Sequence, residues 1–344
     1  MDKYRTAVVL LNWNGRHLLE RFLPGIIAHL PIGCELIVAD NGSHDDSVSY
    51  LKKYHPEIRL IAMPENYGYT GGYNRALKEV DADVYVLLNS DMEVSPGWIE
   101  PALRYLKDNP HVAALQPKIR SLNNREYFEY AGAGGGFLDV LGYPFCRGRI
   151  FNTLEKDNGQ YDDAAEIFWA SGAALFIRSE VFWKAGGFDE DFFAHMEEID
   201  LCWRIQNMGY KVVFCPPSVV YHLGGGSLPK SNPRKTYYNF RNSLFMLAKN
   251  LPSRGFFLRI VLRLLLDILA SMKFLIQGSP GDWLAVYKAH LAFLTRVSAL
   301  RKQTTGRQQK LPGLICKKSI VKAYFICRKR RFSQLDFKAS RASL

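Results

Sequence analysis

The chain has 344 residues, 48% of them hydrophobic and 23% charged, which is enough for one large domain with an appendage and excludes general disorder. The formal net charge of +12 by itself suggests a nucleic-acid binder, yet residues 1–229 hold 21 Lys+Arg against 30 Asp+Glu, a net of −9, while residues 230–344 hold 24 against 3, a net of +21. An acidic body with a basic C-terminal third calls for two separate explanations.

The first half alternates apolar runs with helical stretches. Residues 7–11, 35–39, 59–62 and 84–88 read as buried strands. Residues 16–29, 46–54 and 72–80 read as helices between them. This alternation predicts an α/β fold, a mostly parallel sheet covered on both faces, whose ligands collect at the carboxyl ends of the strands. The polar residues stand at those ends: Asn12 and Asn14, Asp40 and Asn41, Asn66, then Asn89 and Asp91. Residues 120–163 are richer in glycine and less regular. A second block, 167–222, carries a strand at 173–177, a helix at 196–208 and strands at 212–215 and 219–222. Residues 233–301 are helical in pattern, and 302–344 form a basic tail of weak periodicity, expected to be poorly ordered.

The longest apolar run, 255–277, carries Arg259, Arg263, Asp267 and Lys273 and is therefore a poor spanning helix. Those charges fall within an arc of about 120° on a helix. A turn at Gly278–Gly281 leads to a second helix from Trp283 to Leu300. Such a pair fits an interfacial hairpin on an anionic membrane surface, and the alternative is packing on the protein's own core. The six cysteines show no C-x-x-C pair or zinc spacing and read as reduced thiols. The apolar run 7–11 is too short for a signal-peptide core. Together these two features predict a cytoplasmic compartment.

Five short stretches carry chemistry. Asp40-Asn41-Gly42-Ser43 ends a strand in a carboxylate that can accept from the imide N–H of uracil or thymine, with Asp45 or Asp46 capping the next helix; a capped turn without a ligand reads equally well. Asn66-Tyr67-Gly68-Tyr69-Thr70-Gly71-Gly72-Tyr73-Asn74 places glycines before a helix, where backbone N–H groups favour phosphate. Asn89-Ser90-Asp91 presents a carboxylate just past a buried strand, a place to hold a hard cation against a diphosphate. Between Phe188 and Arg204, Glu197, Asp200 and Arg204 share a helix face, so Arg204 is a structural partner for Asp200. Glu198 points about 100° away, and its place in the first helical turn favours the ionised form that suits a general base. Finally, His222 ends a strand and is followed by Gly224-Gly225-Gly226.

In this order, the five stretches resemble the inverting glycosyltransferases of family 2, which have the GT-A fold, and within them the bacterial rhamnosyltransferase-like branch. The resemblance spans roughly residues 7–250. It implies a GT-A catalytic domain over 1–229, with a nucleotide-sugar half at 1–118 and an acceptor and catalytic half at 119–229. Residues 230–301 would then be a helical extension and 302–344 the tail. Asn12, Asn14, Asp40 and Asn41 would hold the nucleoside, and Asn66, Gly72, Asn74, Asn89 and Ser90 the rest of the donor. Asn89-Ser90-Asp91 stands at the family's D-x-D position without the first acid, leaving metal ligation to Asp91, with His222 completing an Mn²⁺ or Mg²⁺ site. Glu197-Glu198 stands at the family's Glu-Asp pair, so the base is Glu198 or Glu197. Trp169, Gly172 and Ala173 would line the acceptor side.

The implied reaction moves a sugar such as rhamnose from a UDP- or dTDP-sugar to a hydroxyl of a glycan or lipid-linked acceptor at the inner face of the membrane, with no nucleic-acid partner. A nucleotidyltransferase of sugar-nucleotide synthesis is the alternative enzyme, but Asn12-Trp13-Asn14-Gly15-Arg16 is a poor match to its Gly-rich triphosphate loop. A non-enzymatic RNA binder would use the basic tail, which carries no recognised RNA-binding motif. The departures at Asn89 and Glu198 also admit a catalytically inactive relative.

Overall fold

The structure, a computed structural model, describes residues 4–224, 232–304, 312–337 and 342. The first half runs β1 (Thr6–Asn12), α1 (Arg16–Ala28), β2 (Cys34–Asn41), α2 (Ser47–Tyr54), β3 (Arg59–Met63), α3 (Gly68–Lys78), β4 (Val84–Asn89), β5 (Met92–Val94), α4 (Glu100–Asp108) and β6 (Val112–Ser121). The expected elements are all present. Helix α3 starts four residues earlier than its glycines suggest, because Gly71 and Gly72 lie inside it. A Cβ on Gly72 would stand 2.8 Å from Leu11 and 2.9 Å from the Asn41 amide, so the missing side chain lets α3 sit close on the sheet.

The second block contains β7 (Gly136–Asp139), β8 (Pro144–Cys146), β9 (Arg149–Ile150), β10 (Thr153–Leu154), β11 (Ala165–Glu166), β12 (Ala174–Arg178), α5 (Ser179–Lys184), α6 (Glu197–Asn207) and β13 (Lys211–His222). The main sheet has the order β11-β13-β6-β12-β4-β1-β2-β3, with β5 also on β13. β1–β4, β6 and β13 run one way, whereas β5, β11 and β12 run the other. The two strands expected at 212–215 and 219–222 are one strand, β13, with an irregularity between Cys215 and Val219 where Pro216 and Pro217 cannot donate to the ladder. β1 is buried on both faces: Ala7 and Val9 join one apolar cluster with α3, Val8 and Leu10 another with α1. Its register fixes the edge that matters, with Asn12 beside Asp40 of β2 and Leu11 beside Asn89 of β4.

The C-terminal third is α7 (Pro233–Asn250), α8 (Phe256–Ile276), α9 (Pro280–Gln303) and β14 (Ile315–Cys316). The expectation of a poorly ordered tail is corrected for residues 312–337. β14 pairs in parallel with β7, the Ile320 N–H donates to Asp139 at 2.8 Å, and Phe332 lies among Phe137, Phe145 and Tyr161. Aromatic residues scattered through a basic sequence supply an anchor that charge counting hides.

The helix pair 256–303 divides between the two expectations for it. Helix α9 buries Ala285, Val286, Ala289 and Phe293. Helix α8 is turned the other way: Arg263, Asp267 and Ser271 face inward beside Ile260, while Phe257, Leu258, Leu262, Leu265, Leu269 and Met272 are exposed. The buried pair is held by Arg263 Nε to Asp267 Oδ1 at 2.9 Å, Tyr143 OH to the same oxygen at 2.9 Å, and His290 at 3.7 Å from Asp267 Oδ2. The Arg263 guanidinium also stacks 3.7 Å from the Tyr143 ring centroid. No helix among the described residues is long and apolar enough to cross a membrane.

Because Asp267 is fully buried against Arg263, Asp267→Ala is expected to cost about 3–5 kcal/mol by stranding a buried guanidinium. Leu265→Ala on the outer face is expected to change stability by less than about 0.5 kcal/mol. Urea unfolding of the two variants measures the contrast.

Candidate active site

The carboxyl ends of β1, β2 and β4 form the floor. Asn12 is fully buried and donates from Nδ2 to Asp40 Oδ2 at 2.8 Å. Asp40 also accepts from the Ser43 N–H at 2.9 Å through Oδ1 and from the Ser43 hydroxyl at 2.7 Å through Oδ2. Three of a carboxylate's roughly four acceptor positions are thereby filled, and the fourth is on Oδ1. Asn14 adopts φ 50°, accepts from the His44 N–H at 2.7 Å and stays exposed at the rim. Asp45, not Asp46, supplies the helix-start contacts, accepting from the Ser47 and Arg16 N–H groups at 3.0 Å each.

Beside this floor, Asn41 frames the start of α3. Its Nδ2 donates to Asn66 Oδ1 at 3.1 Å and to the Gly68 carbonyl at 2.9 Å, and its Oδ1 accepts from the Tyr67 N–H at 3.1 Å. Three residues expected to meet substrate are committed elsewhere. Asn74 has both ends of its amide on the Phe188 backbone, at 2.7 and 2.9 Å, so it braces the 188–190 turn. Gly72 serves the packing of α3. Trp169 is buried, donates to the Phe137 carbonyl at 3.0 Å, and belongs to the core rather than the acceptor side. Gly172 accepts from Tyr69 OH at 2.7 Å, and the Ala173 carbonyl accepts from the Asn89 N–H at 3.0 Å, so both stay next to the site.

Asp91 and His222 are 131 residues apart, and their side chains meet, Asp91 Oδ1 to His222 Nε2, at 3.1 Å. The antiparallel pairing of β5 with β13 places His222 opposite Met92, the residue after Asp91. On its other side His222 Nδ1 is 3.2 Å from Glu129 Oε2, an ion pair that no sequence motif announces. Burial lowers the pKa of His222, but the Asp91 and Glu129 carboxylates outweigh it and push it up to about 10. The imidazole is therefore protonated between two acids.

The spacing of this pair suits a divalent cation. Two cis ligands of an octahedral ion with bonds of about 2.1 Å stand about 3.0 Å apart, close to the 3.1 Å separating Asp91 Oδ1 from His222 Nε2. Carboxylate and imidazole suit Mn²⁺ or Mg²⁺, and a carboxylate behind the metal-binding histidine is the usual orienting partner. The residues therefore fit an ion that takes the place of the shared proton. Among the described residues, no cluster of three or more His, Cys, Asp or Glu is arranged to hold a metal. The remaining ligands would come from a diphosphate and water.

The acidic pair lies at the start of α6, as the sequence predicts, and Arg204 Nε meets Asp200 Oδ2 at 2.8 Å. The electrostatics differ from expectation. Burial raises Glu197, 5% exposed and next to Glu198, well above the usual carboxylate range. Burial also pushes Glu198 up to about 7, with the N–H groups of the helix start opposing it. Desolvation therefore beats the first-turn preference for the charged form. Glu198 is the less buried of the two. One oxygen of each, Glu197 Oε2 and Glu198 Oε2, is buried without a hydrogen-bond partner. Just before them Phe193, His195 and Met196 take positive φ of 63°, 71° and 71°, backbone that costs an L-residue about 1–2 kcal/mol. Residues 225 and 226 of the glycine run lie outside the described residues.

Known proteins resemble this chain. The family description "Glycosyl transferase family 2" matches residues 7–185. An N-acetylglucosaminyl-diphospho-decaprenol L-rhamnosyltransferase of Mycobacterium tuberculosis (strain ATCC 25618 / H37Rv) is 29% identical over 230 residues, covering 62% of this chain and 75% of that protein. The crystal structure of GalNAc-T7 with UDP, GalNAc and Mn²⁺ superposes with TM-score 0.57 at 18% identity, over 72% of this chain and about half (49%) of that one. The mannosyltransferase PcManGT from Pyrobaculum calidifontis, in complex with GDP-Man and Mn²⁺, gives TM-score 0.52 at 17% identity over 88% and 80%.

Asp91→Ala is expected to abolish the Mn²⁺-dependent part of UDP or dTDP affinity. Calorimetric titration with and without Mn²⁺ checks this, and an unchanged metal effect would remove Asp91 from the cation site.

Proposed function

The chain belongs to glycosyl transferase family 2, and from that premise we propose that it moves a sugar from a UDP- or dTDP-sugar to an acceptor hydroxyl with inversion at the anomeric carbon. What supports the reading is the strand-end floor, the Asp91–His222 pair, and the nearness of Glu197 and Glu198 to Tyr69, whose hydroxyl reaches the Gly172 carbonyl. The nucleoside lies on the Asn12, Asn14, Asp40 and Asn41 edge, where Asp40 Oδ1 keeps an acceptor position for an imide N–H. Asn66, Asn89 and Ser90 border the rest of the donor. Asp91 and His222 would hold Mn²⁺ or Mg²⁺, which supplies charge stabilisation to the departing nucleoside diphosphate when bound.

Glu198 is the base. Its pKa near 7 leaves it partly ionised at neutral pH, while burial and the neighbouring Glu198 push Glu197 further toward the neutral form. Glu198 removes the proton of the acceptor hydroxyl, the oxygen bonds to the anomeric carbon, and the bond to the diphosphate oxygen breaks on the opposite face. Gly172 and Ala173 border the acceptor. The likeness to the mycobacterial rhamnosyltransferase supports rhamnose as a donor sugar and a lipid-linked glycan as the acceptor.

Release of nucleoside diphosphate from a panel of nucleotide sugars, with Mn²⁺ and Mg²⁺, tests the activity and identifies the donor. Release from none of them favours an inactive relative. Glu198→Gln is expected to lower turnover at least ~10²-fold. Because only the ionised carboxylate accepts a proton, kcat should fall as pH drops through about 7, and near-normal turnover in Glu198→Gln would move the role to Glu197.

The location at the inner face of the membrane rests on α8 and on the +21 of residues 230–344. An apolar row outward, with Arg263 and Asp267 turned inward, suits the boundary between anionic headgroups and acyl chains. Leu265→Asp combined with Leu269→Asp should abolish co-sedimentation with phosphatidylglycerol vesicles while leaving nucleoside diphosphate release intact. If the unmodified chain never sediments with these vesicles, the membrane location fails and the transferase reading stands.

A further inference from the structure

The strained turn ahead of Glu197 is held from outside the segment that the family description matches. Asn242, in the middle of α7, is fully buried, and its amide nitrogen donates to three carbonyls of that turn: Phe192 at 2.9 Å, Ala194 at 2.7 Å and His195 at 2.8 Å. The amide has one orientation available, because its oxygen accepts from Arg241 Nε at 2.8 Å. Arg241 in turn donates from Nη2 to the Asp191 and Phe192 carbonyls at 2.8 and 3.1 Å. A guanidinium and a carboxamide adjacent on one helix thus cover every carbonyl from 191 to 195 except that of Phe193, which accepts from the Thr70 N–H of α3 at 3.2 Å. About two turns of helix further along, α7 reaches α6 itself, where Asn250 Nδ2 donates to Asp200 Oδ1 at 2.6 Å.

We propose that Asn242 and Arg241 of α7 are positioning residues for the acid–base pair, holding the 191–196 turn in the positive-φ conformation that aims Glu198 into the site. Neither residue is placed against donor or acceptor, so their effect passes through the turn. The turn cannot keep this shape by itself. Phe193, His195 and Met196 are ordinary L-residues with positive φ, and an unrestrained chain relaxes to negative φ. Relaxation would swing the carbonyls away from α7 and rotate the first residues of α6, where both glutamates sit. Donor binding, on the floor formed by β1, β2 and β4, should not feel the change. The role of Glu198 as the base belongs to the proposed function, whereas the clamp is a statement about the turn and can fail separately.

Asn242→Asp keeps the shape and replaces the donors with oxygens facing three carbonyls; Arg241→Lys keeps the charge and loses the fork. With the nucleotide sugar that the donor panel shows to be turned over fastest, Asn242→Asp is expected to lower kcat about 10²-fold at a donor KM unchanged within about twofold. The acid limb of its kcat profile should move away from that of the unmodified enzyme. Arg241→Lys is expected to show the same split, more weakly. Amide hydrogen exchange reads the clamp without any substrate: the N–H groups of residues 193–198 should exchange at least about tenfold faster in both variants, with β1 and β4 unchanged. Exchange in 193–198 equal to that of the unmodified chain overturns the proposal, as does a kcat within about threefold of it. A rise in exchange spread evenly over the whole chain also overturns it, because Asn242 would then be only a stability residue. Should Asn242→Asp fail to fold, Arg241→Lys decides by the same two readouts.

Discussion

The parallel register of β1 with β2 and β4 is the constraint on which the rest of the molecule hangs. A strand buried on both faces can expose polar groups only where it ends, and three such strands in register end along one line. Asn12, Asp40 and Asn89 therefore meet without any contact being specified for each of them. The loops leaving that edge must turn sharply into helices, which is why Asp40, Asp45 and Asn41 each accept from at least one backbone N–H there. The floor is thus rigid first and a binding surface second.

On this floor the protein concentrates carboxylates in dry surroundings and controls them in two different ways. Burial would raise Glu129, but the His222 ring beside it outweighs that and holds it below the usual carboxylate range, and Asp91 meets the same ring at 3.1 Å. Among the described residues no cation pairs with Glu197 or Glu198, and burial drives both toward the neutral form, Glu197 further. One cluster is prepared for positive charge and the other for a proton, and the difference follows from a single histidine delivered by β13. The strained turn at 193–196 belongs to the second cluster, and α7 supplies the donors that keep it in place.

The C-terminal third carries two jobs on one set of helices. Helix α7 faces the site, α9 fills the space behind it, and α8 presents leucines to the outside while a buried Arg263–Asp267 pair fastens it to Tyr143 and His290. A helix that turns Arg263 and Asp267 inward and a row of leucines outward is poorly suited to water and well suited to an apolar boundary. The basic excess of this third then has a physical context different from nucleic acid.

Much of this was legible in the sequence. Uniform apolar runs separated by helical stretches leave little freedom but a parallel sheet, and the sheet puts the strand-end polar residues together. The i, i+3 and i+7 spacing of Glu197, Asp200 and Arg204 likewise forecast the Asp200–Arg204 pair. Other features depend on where side chains point after packing, which local periodicity does not record. Asn74, Gly72 and Trp169 look like site residues in a motif but are absorbed by the turn and core they touch. Glu129 and Asn242 carry no motif at all and reach the site across 93 and 47 residues, from His222 and His195 respectively. Even the sign of the Glu198 shift was decided by burial, a property of the whole assembly, against the local preference of a helix start. The sequence alone determined the sheet, its polar edge and the order of the elements, because these follow from pattern along the chain. The tertiary structure alone decided which acids hold protons, which helix clamps the turn and which face of α8 looks outward, because each of these depends on contacts between residues far apart in sequence.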